Sequence, residues 1–313
     1  MSLGVPVESS GRVDPHGRRP ESGSQSRRNK GGDFSTRTSR TDSSLPRVGH
    51  LELERIREEL SDRDSAVVRL VGEFRLVSAR QLRRLFFPDS DFATPETAAR
   101  CSRRVLKRLV LGRLLARLER RVGGTRAGSN GYVYTLGPVG HRLVHPAGRS
   151  RPRHFEPSTA FVDHQLAVGE LVVDLRLAER RSAIEVLAVQ GEPRSWRRLP
   201  GQRVRAGLLR PDLHVRLRAR EIELSWFVEV DRGTAHVPAL LRKCVLYESY
   251  YQSGTEQAEH GVFPRVLWVV PTDGRLARLT SAIGRSRQLT EALFAVTTAD
   301  RALDVLCGAE VAQ

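Results

Sequence analysis

The stretch from 226 to 251, WFVEVDRGTAHVPALLRKCVLYESYY, changes character half-way along. Its first residues, Trp226-Phe227-Val228, form an apolar run of the β-favouring kind that ends in Glu229-Val230-Asp231. A helix is expected over His236–Tyr251, with Tyr247, Tyr250 and Tyr251 at helical spacing. Side chains alternate along a strand, so Glu229 and Asp231 share a face while Val230 turns away and offers its carbonyl. A strand that ends in carboxylates and feeds a helix sets the rest of the reading.

Moving outward, Glu221–Asp231 is preceded by a strand candidate at Pro211–Arg218, which opens with Pro211-Asp212 and brings Asp212 beside the acidic strand end. Before it come a strand at Ala183–Gln190 and a long helix over 158–180, STAFVDHQLAVGELVVDLRLAER. That helix has a Ser or Thr cap, apolar positions from Phe161 to Leu175 at helical spacing, and carries His164 and Glu170. After the acidic strand and its helix, RVLWVV (Arg265–Val270) is a buried strand closed by Pro271, with another helix from about Arg275. The order is α-β-β-β-α-β, with a long connection between the first and second strands. Carboxylates of Asp212, Glu229 and Asp231 with one carbonyl are an oxygen-only donor set that suits Mg²⁺ or Mn²⁺ in phosphodiester hydrolysis, and Glu170 can add a ligand. Lys243, two turns into the following helix, is placed to stabilise charge on a phosphate. His164 reads as a hydrogen-bonded core residue, and the tyrosines read as core or DNA-stacking residues.

The first half has a different rhythm. Helices are expected from Ser61, from Ser78, and from Thr94-Pro95-Glu96 to Gly112, each with a capping residue. Strands at Leu114–Arg121 and Tyr132–Leu136 follow, joined by a glycine-rich loop, and then a short closing helix within 135–144. On the third helix Ala98, Cys101, Val105 and Leu109 make one face, and Arg100, Arg103, Arg104, Lys107 and Arg108 make the other. Three helices and a hairpin with a basic tip predict a winged helix-turn-helix. In that arrangement the basic face enters the major groove of double-stranded DNA while Arg113, Arg120, Arg121 and Arg126 of the hairpin lie along phosphates.

The charge supports this assignment. The 313 residues carry 52 basic and 36 acidic side chains, a formal +16. Residues 97–126 hold ten bases against Glu119 alone, so more than half of the excess sits in one helix and hairpin. Lys30, Lys107 and Lys243 are the only lysines, a scarcity that codon bias toward arginine explains and that makes Lys243 notable. Cys101, Cys244 and Cys307 are scattered, which excludes a disulfide framework or a cysteine-rich zinc site. No apolar stretch is long enough to span a bilayer, no secretory signal opens the chain, and no GxxxxGK[ST] or GxSxG motif is present. The expected location is the cytoplasm, in association with nucleoid or plasmid DNA. The expected division is a disordered basic tail at 1–50, a winged helix at 51–145, a linker at 146–157 and a second domain at 158–313.

These residues resemble known proteins. The α-β-β-β-α-β order, with Pro211-Asp212 and then an acidic strand end, resembles the PD-(D/E)XK nuclease superfamily with its restriction-endonuclease-like fold, of mixed α+β or α/β class. More closely, HQLAVGELVVDL, RPDLHVRL and FVEVDRGTAHVPALLRKCVLYESYY, with the preceding winged helix, resemble the replication-relaxation family of actinobacterial and plasmid-borne proteins, over roughly residues 60–285. The resemblance implies a role in replication or relaxation of plasmid or mobile-element DNA, with replication or mobilisation proteins as partners. It also implies metal binding at Asp212 and Glu229, with Glu170 as the helical acid. It departs at Asp231, where the superfamily has its catalytic lysine, so either Lys243 or Arg232 supplies the cation or the fold is a non-catalytic DNA-binding accessory. A homodimer on a two-fold DNA site is a further expectation.

Overall fold

A computed structural model describes residues 48–118, 131–145, 157–200 and 207–308. Nearly all of the expected tail, residues 119–130 with Arg120, Arg121 and Arg126, and all but the last residue of the expected linker lie outside the described residues. The rest is a mixed α and β structure.

The first part is α1 (His50–Glu59), α2 (Asp62–Phe74), β1 (Val77–Ser78), α3 (Ala79–Phe86), α4 (Pro95–Leu111), β2 (Leu115–Leu118), β3 (Val133–Leu136) and α5 (Pro138–Val144). Helix α1 precedes the first helix expected from the sequence; it buries only Leu53, so its apolar signal is weak. The three expected caps are present. Ser61, Ser78 and Thr94 each accept from the backbone N–H three residues on, and Gln81 returns a bond to Ser78 to complete a capping box. Strands β2 and β3 pair antiparallel from Leu115 opposite Leu136 to Leu118 opposite Val133, and β1 adds to the other side of β3.

The second part is α6 (Thr159–Arg180), β4 (Glu185–Gly191), β5 (Arg197–Arg198), β6 (Leu208–Leu209), β7 (Leu213–Ala219), β8 (Ile222–Val230), α7 (Val237–Gln252), α8 (Thr255–His260), β9 (Arg265–Val270), α9 (Asp273–Gly284), β10 (Phe294–Thr298) and α10 (Ala302–Leu306). The main sheet has the order β10-β9-β8-β7-β4. Strands β8, β9 and β10 are parallel, while β8, β7 and β4 are antiparallel. Alternation along β8 sends Trp226, Val228 and Val230 into the core that α6 covers, and Phe227 into the core under α7 and α9. Beyond the expected elements this part adds β10 at the sheet edge, the two-stranded ribbon β5–β6 inside the long connection, and the short helices α8 and α10.

Helix α6 belongs to both parts. Its Val168, Leu171 and Val172 share one buried cluster with Val67 and Leu82 of the helical part and Leu213 and Val215 of the sheet. On the other side Phe161, Val162 and Leu166 pack against Leu76 and Val133. Arg84 of α3 pairs with Glu170 and, at 2.7 Å, with Asp174. Gln81 Nε2 donates to the Leu166 carbonyl at 2.8 Å. The chain segments on either side of 146–157 therefore build one continuous core.

The ribbon is latched to the sheet by buried polar groups. Arg197 Nε donates to Glu256 Oε2 at 2.8 Å, and Tyr250 Oη donates to the same oxygen at 2.6 Å. Arg197 Nη2 lies 3.1 Å from His214 Nδ1; arginine has no acceptor, so that nitrogen accepts and Nε2 carries the proton toward Ser225 Oγ at 3.2 Å. Burial, reinforced by the Arg197 charge, pushes the His214 pKa down to about 4.

Two outcomes are expected from this packing. A Cβ at Gly140 would stand 2.0 Å from the Leu114 carbonyl oxygen. Gly140→Ala, which in an open helix would stabilise by about 1 kcal/mol, is expected here to lower the free energy of unfolding by about 1–3 kcal/mol in urea titrations; an unchanged midpoint would refute the close contact. His214 has a depressed folded-state pKa, so between pH 6.5 and 4 the unfolded chain binds the extra proton and stability falls with falling pH. The difference in stability between wild type and His214→Gln is expected to shrink over that window by roughly 3 kcal/mol, measured by urea unfolding at pH 4 and 6.5.

Candidate functional site

The carboxyl end of β8 and the start of β7 meet at one rim of the sheet. There Asp212 is held twice by β8: its N–H donates to the Val228 carbonyl at 3.1 Å, and its Oδ2 accepts from the Val230 N–H at 2.7 Å. A short polar side chain at the first turn off a strand can clamp its neighbour in this way, and the preceding Pro211 limits the backbone there. The other carboxylate oxygen, Oδ1, faces His164 Nε2 of α6 at 3.1 Å. The Asp212 hydrogen bond raises the His164 pKa above the usual imidazole range against the opposing effect of burial.

Glu229 is 2 % exposed, in the middle of the sheet. Its two oxygens are taken by α7: Oε2 by Lys243 Nζ at 2.5 Å and Oε1 by Tyr247 Oη at 2.6 Å. Lys243 and Tyr247 are four residues apart and so share one helix face. Burial raises the Glu229 pKa up to about 7; Lys243 opposes that rise and Asp212 adds to it. For Lys243 burial acts downward, but the neighbouring Glu229 and Asp212 carboxylates outweigh it and its pKa rises. Tyr247 is held well above its usual value by burial and by Glu229. Lys243 also donates to the Arg210 carbonyl at 2.9 Å, just before Pro211-Asp212.

Around these groups lies a cavity of about 520 Å³ lined by Asp212, Glu229, Asp231, Lys243, His164 and Arg232, among others. The structure thus brings Asp212, Glu229 and Lys243 together as the sequence anticipates. Asp231 reaches the same cavity but is engaged, with Oδ2 accepting from Arg275 Nε at 2.7 Å and Oδ1 from Gly233 N–H at 3.0 Å. Arg275, on α9, is a partner the local sequence did not reveal. Glu170 stays outside the cavity, bound by Arg84 and Gln81. It follows His164 by six residues, a rotation of about 240° and a rise of about 9 Å along α6, so the two cannot address one site. His164, read from sequence as a core residue, takes the position facing Asp212. Among the described residues no group of three or more His, Cys, Asp or Glu side chains is arranged to hold a metal ion. Tyr247 and Tyr250 are buried, and Tyr251 packs edge-on to Phe263.

A second set of candidate residues lies on α4. Its buried side is Ala98, Val105, Leu106 and Leu109, while Arg100, Arg103, Arg104, Lys107 and Arg108 are all exposed. Arg108 pairs with the buried Asp64 at 2.5 Å. Among the described residues the other four have no carboxylate partner, so four cations point at solvent from one face. Arg113, in the turn after α4, is partly buried and has a positive φ of 58°. Arg117 on β2 lies over the Tyr132 ring at 4.0 Å. No described helix is long and apolar enough to cross a membrane.

Compared with curated proteins and with solved structures, the chain matches none. A family model described as Replication-relaxation matches residues 68–266, a span that holds α4, His164, Asp212, Glu229 and Lys243. With well over half of its length inside that match, the chain belongs to the replication-relaxation family.

Proposed function

We propose that the protein acts in replication or relaxation of plasmid or mobile-element DNA, docking on the duplex through a winged helix formed by α2 to α5 and cutting one strand at the cavity beside Asp212. The observation that carries this reading is the convergence of Asp212, Glu229 and Lys243 on one cavity at the strand ends. It is the acid–acid–lysine set of a PD-(D/E)XK nuclease, with the lysine supplied from α7 instead of the strand. Family membership supports the biological setting. The exposed cations of α4, next to an antiparallel hairpin, support the docking mode.

The donor set fits a hard divalent cation. Asp212 and Glu229 offer four carboxylate oxygens, and each oxygen keeps a lone pair beyond the bond described above. The Val230 N–H bonds Asp212, and a strand residue's N–H and C=O point the same way, so its carbonyl also faces Asp212. These residues would hold Mg²⁺ or Mn²⁺, which when bound supplies Lewis-acid polarisation and an acidified water. The chain's own contribution is positional: Tyr247 fixes Glu229, Val230 fixes Asp212, and Lys243 keeps a positive charge at the cavity wall where a phosphate oxygen would sit.

One observation favours a second reading, a DNA-binding accessory without catalysis. All six carboxylate oxygens of Asp212, Glu229 and Asp231 accept from protein donors, and Asp231 stands at the superfamily's lysine position. The two readings separate on supercoiled plasmid in Mg²⁺ or Mn²⁺. Wild type is expected to yield open circles, with Lys243→Met and Glu229→Gln slower on the order of 100-fold or more; absence of nicking by wild type with either metal would establish the accessory role. Under both readings the Arg103→Ala, Arg104→Ala and Lys107→Ala triple variant is expected to bind duplex DNA more weakly. Its plot of log affinity against log salt should be shallower by about 2.7, measured by fluorescence anisotropy.

A further inference from the structure

The ribbon β5–β6 has two unlike faces. Arg197, Leu199 and Leu209 turn inward: Arg197 is latched to Glu256 and His214, and the two leucines are buried in the core under α7. Arg197 pairs with Leu209 and Arg198 with Leu208, so alternation puts Trp196, Arg198 and Arg210 on the outward face. Arg198 and Arg210 are exposed, and Trp196 is half-buried. The Arg210 guanidinium lies over the Trp196 ring at 5.0 Å from its centroid, and Trp196 Nε1 donates to Glu192 Oε1 at 3.3 Å. Arg210 also ends the ribbon at the candidate site, since its carbonyl accepts from Lys243 and the next residues are Pro211 and Asp212. The segment 191–210 carries six arginines against the single acid Glu192, a basic excess that the even balance of the whole second half conceals.

We propose that this outward face, Trp196 with Arg198 and Arg210, is a platform for single-stranded DNA that leads an unpaired strand to the cavity. The inference rests on the reading of that cavity as a phosphodiester site and names the form of its substrate. Cations alone would serve duplex and single strand alike. A planar indole capped by a guanidinium adds a stacking surface, and the faces of bases are open to such a surface only where the strand is unpaired. Electrostatic attraction tracks the backbone along Arg198 and Arg210, and stacking on the Trp196–Arg210 pair holds a base beside Asp212. The α4 face keeps the duplex; the ribbon takes the strand.

The test is binding of an oligothymidylate to the full chain in EDTA, where no cutting takes place. Trp226 and Trp268 are each 2 % exposed, so of the three tryptophans Trp196 is the one open to an added ligand. Intrinsic fluorescence is expected to be quenched on binding. Trp196→Leu is expected to abolish the quench and weaken binding at least ~10-fold. Because Trp196 is half-buried, the exposed pair Arg198→Ala and Arg210→Ala gives a second measure; its salt slope for oligothymidylate is expected to be shallower by about 1.4. The Arg103, Arg104 and Lys107 triple variant is expected to keep the full quench and to lose more affinity for duplex than for oligothymidylate. No quench, or ribbon variants that lose duplex binding as much as oligothymidylate binding, would overturn the proposal. A wild type that shows the quench yet nicks no plasmid would leave the platform standing and remove only the catalytic reading.

Discussion

A carboxylate buried at the centre of a sheet has to be given donors, and much of the second half is arranged around that need at Glu229. Left alone in an apolar interior, an ionised carboxylate costs many kcal/mol, and in practice such a group takes up a proton. Here α7 answers with two donors one helical turn apart, Lys243 and Tyr247. For both to reach, α7 must start soon after β8 ends and lie flat on the sheet. The turn from Asp231 to His236 does this, and the Asp231–Arg275 pair anchors it from α9. The charge that makes the site chemically interesting is thus also the charge that fixes its geometry.

The same logic separates the buried pairs from the surface ones. Arg218 and Glu223 lie across an exposed hairpin and contribute little, as solvated pairs do. Glu256 is completely buried with Arg197 and Tyr250, and removing Arg197 would strand its charge. That pairing holds the ribbon in a fixed place beside Asp212. The helical part is tied in by the Arg84 pairs to α6, and α6 in turn carries His164 to the rim.

Much of this was legible in the sequence where local rules decide. The caps at Ser61, Ser78 and Thr94, the two-faced α4 and the apolar strand RVLWVV were all readable, because capping and periodicity act within a few residues. Lys243 could be singled out because lysine is rare in this chain. What could not be read depends on rotation and on distant partners. Whether His164 or Glu170 faces the sheet rim turns on how α6 rolls against α3, and that is set by Arg84 and Gln81, more than eighty residues upstream. Arg275 could not be matched to Asp231 from sequence for the same reason. The ribbon was hidden by its brevity, two residues a strand, and its arginines by averaging over a long segment.

Helix α6 presents apolar side chains in two directions, to the sheet and to the helical part. A fragment beginning near residue 158 would leave Phe161, Val162 and Leu166 without the cover of Leu76 and Val133, and Glu170 and Asp174 without Arg84. A fragment ending near 145 would bare Leu76, Val133 and Gln81 in turn. Neither half is a self-sufficient folding unit by this measure. A chimaera that joins the helical half of one relative to the sheet half of another must exchange the facing surfaces of α3 and α6 together, which ties the inheritance of the basic face to that of the cavity.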